Sequence, residues 1–285
     1  MVMRRPNYVT INASTAIVRS DPAVSESLLR DIASRPVRLI EAAACRPVKI
    51  DFESLVVQVE LTVDDRQMLV AIKQYRPRTF WKALAAVFRP AKAMENWRKA
   101  DFLLSRNIAT ARPLLACRPH GWRSSSTSFL ATEWIDSAEN LHLFGWRIAA
   151  GPPNVRLCIA ARCAEALGRL LGRMHASGAS HRDLKAANLL VVQRGHDVIA
   201  YLVDLDGLQM GDNVEAKRQA RDLARLAAGL VAHPWVTRSI CRQFLRAYMR
   251  EFCLEDSNWK PLWRTVALEA EKIIRRKRQR REAVL

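Results

Sequence analysis

The segment His181-Arg182-Asp183-Leu184-Lys185-Ala186-Ala187-Asn188, followed by Asp204-Leu205-Asp206-Gly207, carries residue types that suit phosphoryl transfer from a nucleotide. That reaction asks little covalent chemistry of a protein. It needs an acceptor hydroxyl aimed in line, a carboxylate to take its proton, and oxygen ligands for Mg²⁺. Asp183 can be the carboxylate, while Asn188 and Asp204 can hold the metal. Lys185, two residues beyond Asp183, can place positive charge near the transferring group. Five fixed residue types at this spacing (His181, Arg182, Asp183, Leu184 and Asn188) would arise by chance in a chain this size roughly once in ten thousand times, so coincidence is a poor explanation.

Three side chains so dispersed meet only if a short loop between strands brings them into one cleft. Leu189 to Val192 and Val198 to Val203 read as short strands flanking the turn Gln193-Arg194-Gly195-His196. Upstream, Leu157, Ala161, Ala164, Leu167, Leu171 and Met174 recur at helical spacing, which predicts a long helix from Val155 to Ala176 that stops at Gly178. Downstream the chain reads as helices over about 215–232, 237–253 and 260–280.

The first half differs. Leu55 to Leu61 and Met68 to Lys73 read as two strands, with Asp64-Asp65-Arg66 as the turn of a hairpin. A helical stretch from about Phe80 to Phe88 ends at Arg89-Pro90, and a better helix runs from Lys92 to Ser105. Phe129 to Ile135 reads as a further strand, and residues 1–35 as an irregular extension with one short helix from Ser25 to Ile32. A strand-rich half and a helical half predict an α+β chain of two lobes with a cleft between them: 1–136, then 137–285 with a basic C-terminal tail.

Composition narrows the function classes. The 285 residues are 49% hydrophobic, enough for a sizeable core. No apolar run reaches the ~20 residues of a bilayer span, and the N-terminus lacks a secretory apolar region, so a cytoplasmic location is expected. The six cysteines include no C-x-x-C pair and suit a reducing compartment. The net charge of +18 attracts polyanions, including anionic lipid or phosphorylated glycan. Its densest stretch, Arg275 to Arg281, suits peripheral contact with an anionic membrane surface.

The pattern H-R-D-L-x-x-x-N is the catalytic loop of the protein-kinase-like fold. The chain resembles that superfamily, and within it most resembles the bacterial lipopolysaccharide core kinases of the Kdo/heptose kinase family. Besides the loop, the matching pieces are Ala71-Ile72-Lys73-Gln74-Tyr75, Asn107 to Pro113, Ala131-Thr132-Glu133-Trp134-Ile135, Leu202 to Asp206 and Arg221 to Leu226, spread over roughly residues 50 to 230. The resemblance implies a small antiparallel-sheet N-terminal lobe with one main helix and a larger, mostly helical C-terminal lobe. It implies ATP and Mg²⁺ as cofactors and an anionic glycolipid, the lipopolysaccharide core, as substrate. It makes Lys73 the lysine that neutralises the α- and β-phosphates, with Glu95 its partner carboxylate and Asp101 the fallback. It adds Glu133 and Ile135 to the nucleotide-binding residues, makes Asp183 the catalytic base with Lys185 beside it, and assigns Asn188 and Asp204 to the metal. Asp222 corresponds to the helix aspartate that braces the loop, and His181 and Arg182 to structural positions.

Two features depart from that pattern. No glycine precedes Gly121, so the first hairpin is not a G-x-G-x-x-G phosphate lid, and Ser54 is a possible substitute donor. The usual D-F-G is Asp204-Leu205-Asp206, with the glycine one place later at Gly207. The missing lid argues against an ordinary protein kinase and motivates a non-catalytic scaffold as an alternative, although a scaffold has no chemical need for Lys73, Asp183, Asn188 and Asp204 together. A kinase for protein Ser/Thr or another small molecule is the other alternative. No nucleic-acid-binding motif is visible, so specific nucleic-acid binding is not expected. His142, His175, His196 and His233 show no ligand spacing and read as ordinary.

Overall fold

The computed structural model of the chain describes residues 8–36, 38–41, 46–50, 54–63, 66–76, 90–120, 127–233, 235–252 and 259–282. They belong to two compact units, Met1–Ser105 with Ala111–Ile135, and Arg106–Thr110 with Asp136–Leu285. The expected helix over Phe80 to Phe88 and the turn residues Asp64 and Asp65 lie outside the described residues.

In the first unit the expectation of an irregular 1–35 is corrected. Val9–Asn12 (β1) and Ala16–Ser20 (β2) pair antiparallel, with Val9 opposite Ser20. The alternation of β2 is hard to see because one of its three inward residues is Ser20, beside Ala16 and Val18. Helix α1 (Glu26–Ser34) starts at Ser25, as expected, where the hydroxyl caps the Leu28 amide. Its Leu29 and Ile32 join the core formed by the sheet.

That sheet has seven strands. After α2 (Arg38–Glu41) come β3 (Arg46–Ile50), β4 (Ser54–Val63), β5 (Arg66–Tyr75), helix α3 (Lys92–Leu104), β6 (Pro113–Pro119) and β7 (Ser128–Glu133). Their order is β1-β2-β6-β7-β5-β4-β3, and every pairing is antiparallel. Alternation along β4 and β5 buries Val57, Val59, Val63, Val70 and Ile72 on one side. Helix α3 covers the other with Ala93 and Trp97, against Tyr75, Ala116 and Leu130. Strand β6 was not predicted. Its prolines stand at its two ends, where a missing donor is tolerated inside a sheet.

The second unit opens with a two-residue strand, β8 (Glu139–Asn140), and helix α4 (Leu141–Ala149), neither predicted. Asn140 caps α4 by accepting from the His142 and Leu143 amides at 3.1 and 3.0 Å. Helix α5 (Pro153–Ala176) follows and ends beside Gly178, whose φ of +81° suits glycine. Then come β9 (Ala179–His181), β10 (Leu189–Arg194), β11 (Asp197–Leu202) and β12 (Leu208–Met210). The hairpin β10–β11 is the predicted one, extended by β8, while β9 and β12 pair separately. Helices α6 (Ala216–Leu230), α7 (Arg238–Arg250) and α8 (Trp259–Glu282) complete the unit, with α7 against α5 and α8 against α6. Among the described residues no helix is long and apolar enough to cross a membrane.

Candidate active site

The loop between β9 and β10 is held at both ends by backbone pairing. Leu208 of β12 lies opposite His181, and the Arg182 amide donates to the Gly207 carbonyl at 3.0 Å. At the far end a single turn of 3₁₀ helix, Ala186–Asn188, leads straight into β10. Leu184 is fully buried and anchors the middle. Asp183 and Lys185 stay half-exposed, with the Lys185 ammonium 2.6 Å from Asp183 Oδ2.

Asn188 is buried, and its Nδ2 donates to the Asp183 carbonyl at 2.9 Å. Because that carbonyl only accepts, the amide orientation is fixed, which leaves Oδ1 as the oxygen donor. The hairpin register brings up the next candidate ligand. Leu189 pairs with Leu202, and the Val203 amide donates to the Asn188 carbonyl at 2.9 Å, so Asp204 follows directly beside Asn188. Asp204 has φ +59° and ψ 67°, a left-handed conformation that aspartate adopts more readily than most residues.

Beneath the loop lies a buried polar network. Asp222 of α6 accepts from the His181 amide at 2.7 Å and from Arg225 at 2.9 Å. The His181 ring donates from Nε2 to the Asp204 carbonyl at 3.0 Å, tying the loop to the start of the Asp204 segment. Burial pushes the His181 pKa below its ordinary value, against the opposing pull of that carbonyl and of the Asp204, Asp222 and Asp183 carboxylates. The imidazole is thus a packed neutral strut. For Arg182 the contact that holds the loop is its amide, while its side chain is exposed.

Gly207 has a steric role. A Cβ there would stand 3.0 Å from His181 Cε1 and 3.2 Å from the Asp183 nitrogen. The glycine one place later than in D-F-G therefore lets the chain pass close under the catalytic loop.

In the first unit, Lys73 lies on β5 opposite Val56 and Leu130, with its ammonium 4.9 Å from the centroid of the Tyr75 ring. Glu95 meets Lys99 of the same helix at 2.7 Å, a pairing the sequence reading did not foresee. Burial raises the pKa of the fallback, Asp101, and Arg19 pulls it the other way. Glu133 ends β7, where its amide donates to the Arg112 carbonyl and its carboxylate lies 3.4 Å from the Arg112 guanidinium. Ile135 is the last residue of this unit. Ser54 opens β4 opposite Tyr75.

Sequence reasoning passed over His175. It lies 3.4 Å from Asp222 and 2.7 Å from the Tyr248 hydroxyl, wholly inside the second unit. Its position six residues before His181 was the available signal. Among the described residues no group of three His, Cys, Asp or Glu side chains gathers as a metal cage.

Among the described residues a seven-stranded antiparallel sheet unit and a mostly helical unit give the protein-kinase-like fold, and the family and named kinases that the chain matches make it a phosphotransferase with an alcohol group as acceptor. The chain belongs to the lipopolysaccharide kinase (Kdo/WaaP) family, whose model matches residues 58–248. It is 26% identical over 200 residues to the lipopolysaccharide core heptose(I) kinase WaaP of Pseudomonas aeruginosa, covering 66% of this chain and 70% of that protein. It is 27% identical over 140 residues to the 3-deoxy-D-manno-octulosonic acid kinase of Xanthomonas axonopodis pv. citri, covering 48% of each. A solved structure, WaaP in complex with acyl carrier protein, shares the fold with a TM-score of 0.59 at 22% identity, over 87% of this chain and 97% of that one.

Proposed function

We propose that the chain transfers the γ-phosphoryl group of ATP to a heptose or Kdo hydroxyl of the lipopolysaccharide core. The observation that carries this reading is the single braced loop that presents Asp183, Lys185 and Asn188, with Asp204 brought beside Asn188 by the β10–β11 register. Asp183 orients the acceptor hydroxyl and takes its proton as the oxygen–phosphorus bond forms and the bond to the ADP oxygen breaks. Lys185 stabilises charge on the transferring group. Asn188 Oδ1 and the Asp204 carboxylate are the residues that would hold Mg²⁺, which when bound neutralises phosphate charge. Lys73, with Glu95 as its candidate partner, and Glu133 and Ile135 are assigned to the nucleotide. Glu95 would take Lys73 beside or in place of Lys99. With no glycine lid, the β4–β5 hairpin must approach phosphate through side-chain donors, Ser54 among them. The test is phosphate transfer from labelled ATP–Mg²⁺ to purified core glycolipid by wild type and Asp183→Asn. Equal transfer by both would overturn the assignment.

The net charge of +18 supports an anionic glycolipid acceptor presented at a membrane surface. A partner reading has separate support. The helical unit holds a half-open apolar cavity of about 120 Å³ lined by Phe144, Leu167, Leu226, Ile240, Phe244 and Trp263. Such a space suits the acyl chain of an acyl carrier protein, the partner named with the similar structure. Thermal melts with acylated and unacylated carrier protein test it. Stabilisation by the acylated form alone is expected, and no stabilisation by either would reject it.

A further inference from the structure

We infer that Tyr248, on α7 and outside the assigned site, is a positioning residue for the Asp183 loop, acting through His175 and Asp222. The inference rests on the reading of that loop as catalytic.

Three residues of α5, Gly168, Gly172 and His175, are spaced by four and three and so share one helix face. The two glycines admit the α7 backbone. A Cβ at Gly168 would lie 2.4 Å from the Phe244 carbonyl oxygen, and one at Gly172 would lie 2.7 Å from that of Tyr248. With the helices this close, the Tyr248 hydroxyl reaches His175 Nδ1 at 2.7 Å.

Around a neutral His175 imidazole the bonding pattern has one consistent direction. Asp222 faces the Arg225 guanidinium and the His181 amide, so its carboxylate accepts at both oxygens. His175 must present N–H from Nε2 to Asp222 Oδ2, at 3.4 Å, which leaves Nδ1 as a bare acceptor for the Tyr248 O–H. Burial, with the Asp222 charge second, raises the Tyr248 pKa, which keeps that hydroxyl protonated. Tyr248, His175 and Asp222 are each at most 1% exposed, so water cannot substitute for any partner. A phenylalanine would fill the same core without a polar group to satisfy. The hydroxyl instead holds the His175 ring at Nδ1, which keeps its Nε2–H on the carboxylate that holds the His181 amide two residues from Asp183.

The test pairs kinetics with histidine ¹⁵N NMR on the full chain. Wild-type His175 is expected as the Nε2–H tautomer. Tyr248→Phe is expected to lower kcat about tenfold, with KM for nucleotide and acceptor within about twofold, because misplacement rather than lost binding is the defect. In the same variant the His175 Nδ1 resonance shifts as its hydrogen bond is lost, while the Nε2–H tautomer stays. Unchanged kcat in folded Tyr248→Phe, or wild-type His175 protonated on Nδ1, would overturn the proposal. The NMR result needs no turnover. A wild type that fails to phosphorylate core sugar therefore rejects the acceptor assignment without deciding this one.

Discussion

The Lys185 ammonium lies 2.6 Å from Asp183 Oδ2, and both side chains are half-exposed on one short loop. A solvent-screened pair of this kind contributes only ~0–1 kcal/mol to folding. On the proposed reading its value is to phosphoryl transfer. Lys185→Ala is expected to leave the thermal midpoint within about 2 °C and to lower kcat by about 10². Lys185→Arg should restore part of the loss. Asp183→Asn, which keeps the shape and removes the base, is expected to cost about 10²–10⁴ in kcat. Melting curves and steady-state transfer rates on the same preparations separate the two effects.

Asp204 combines a proposed metal-binding role with a left-handed backbone, and two substitutions divide these. Asparagine tolerates φ +59° nearly as well as aspartate, whereas a β-branched residue does not. Asp204→Asn is expected to fold with near wild-type stability, yet to need far more Mg²⁺ and to lose at least about 10² in kcat. Asp204→Val should lose activity and also ~1–2 kcal/mol of stability. Urea denaturation checks the second effect and a Mg²⁺ titration of rate the first. A fully active Asp204→Asn would remove this residue from the metal site.

How much of this was readable beforehand depended on how local the signal was. The β10–β11 hairpin, α3 and α5 each rest on a contiguous pattern, and each stands within a few residues of its expected place; the H-R-D-L-x-x-x-N segment is read directly from the sequence. Helix α4 is only nine residues, and the apolar but exposed Leu143 and Trp146 blur the buried period of Leu141, Phe144 and Ile148. Strand β1 is four largely exposed residues, whose strand character comes from pairing with β2. Prolines at both ends made β6 look like a loop. The pairing of Glu95 with Lys99 depends on which side chain reaches it first, and the i,i+4 neighbour on its own helix does. Likewise, His175 joins Tyr248 across 73 residues, a distance no local pattern reports.

Gly207 tests the reading of the shifted glycine. If its role is close passage beneath the loop, any side chain there must push on His181 or on the Asp183 backbone. Gly207→Ala is expected to destabilise by ~1–3 kcal/mol, the usual cost of overpacking, and to lower kcat about tenfold by displacing Asp183. Asp206→Gly, which recreates D-L-G, should rescue neither effect, because the steric conflict stays at position 207. Denaturation midpoints and kcat of the single and double variants decide this. A wild-type-like Gly207→Ala would show that the loop has slack there.

The neutral imidazole of His181 gives stability a direction in pH. Burial depresses its pKa in the folded state, while the unfolded chain titrates near the ordinary value of 6.5. Between those two values the unfolded chain binds more protons than the folded one, so stability rises with pH through that window. The contribution is whole above about pH 6.5 and is lost as pH falls toward the depressed value. His181→Gln keeps a side-chain N–H to offer the Asp204 carbonyl and removes the titration. Wild type is therefore expected to lose more stability between about pH 8 and about pH 5.5 than His181→Gln does. Burial depresses His233 as well, but it is present in both proteins and cancels in the comparison. Equal losses, read from urea midpoints at the two pH values, would show that the acid sensitivity arises elsewhere than beneath the catalytic loop.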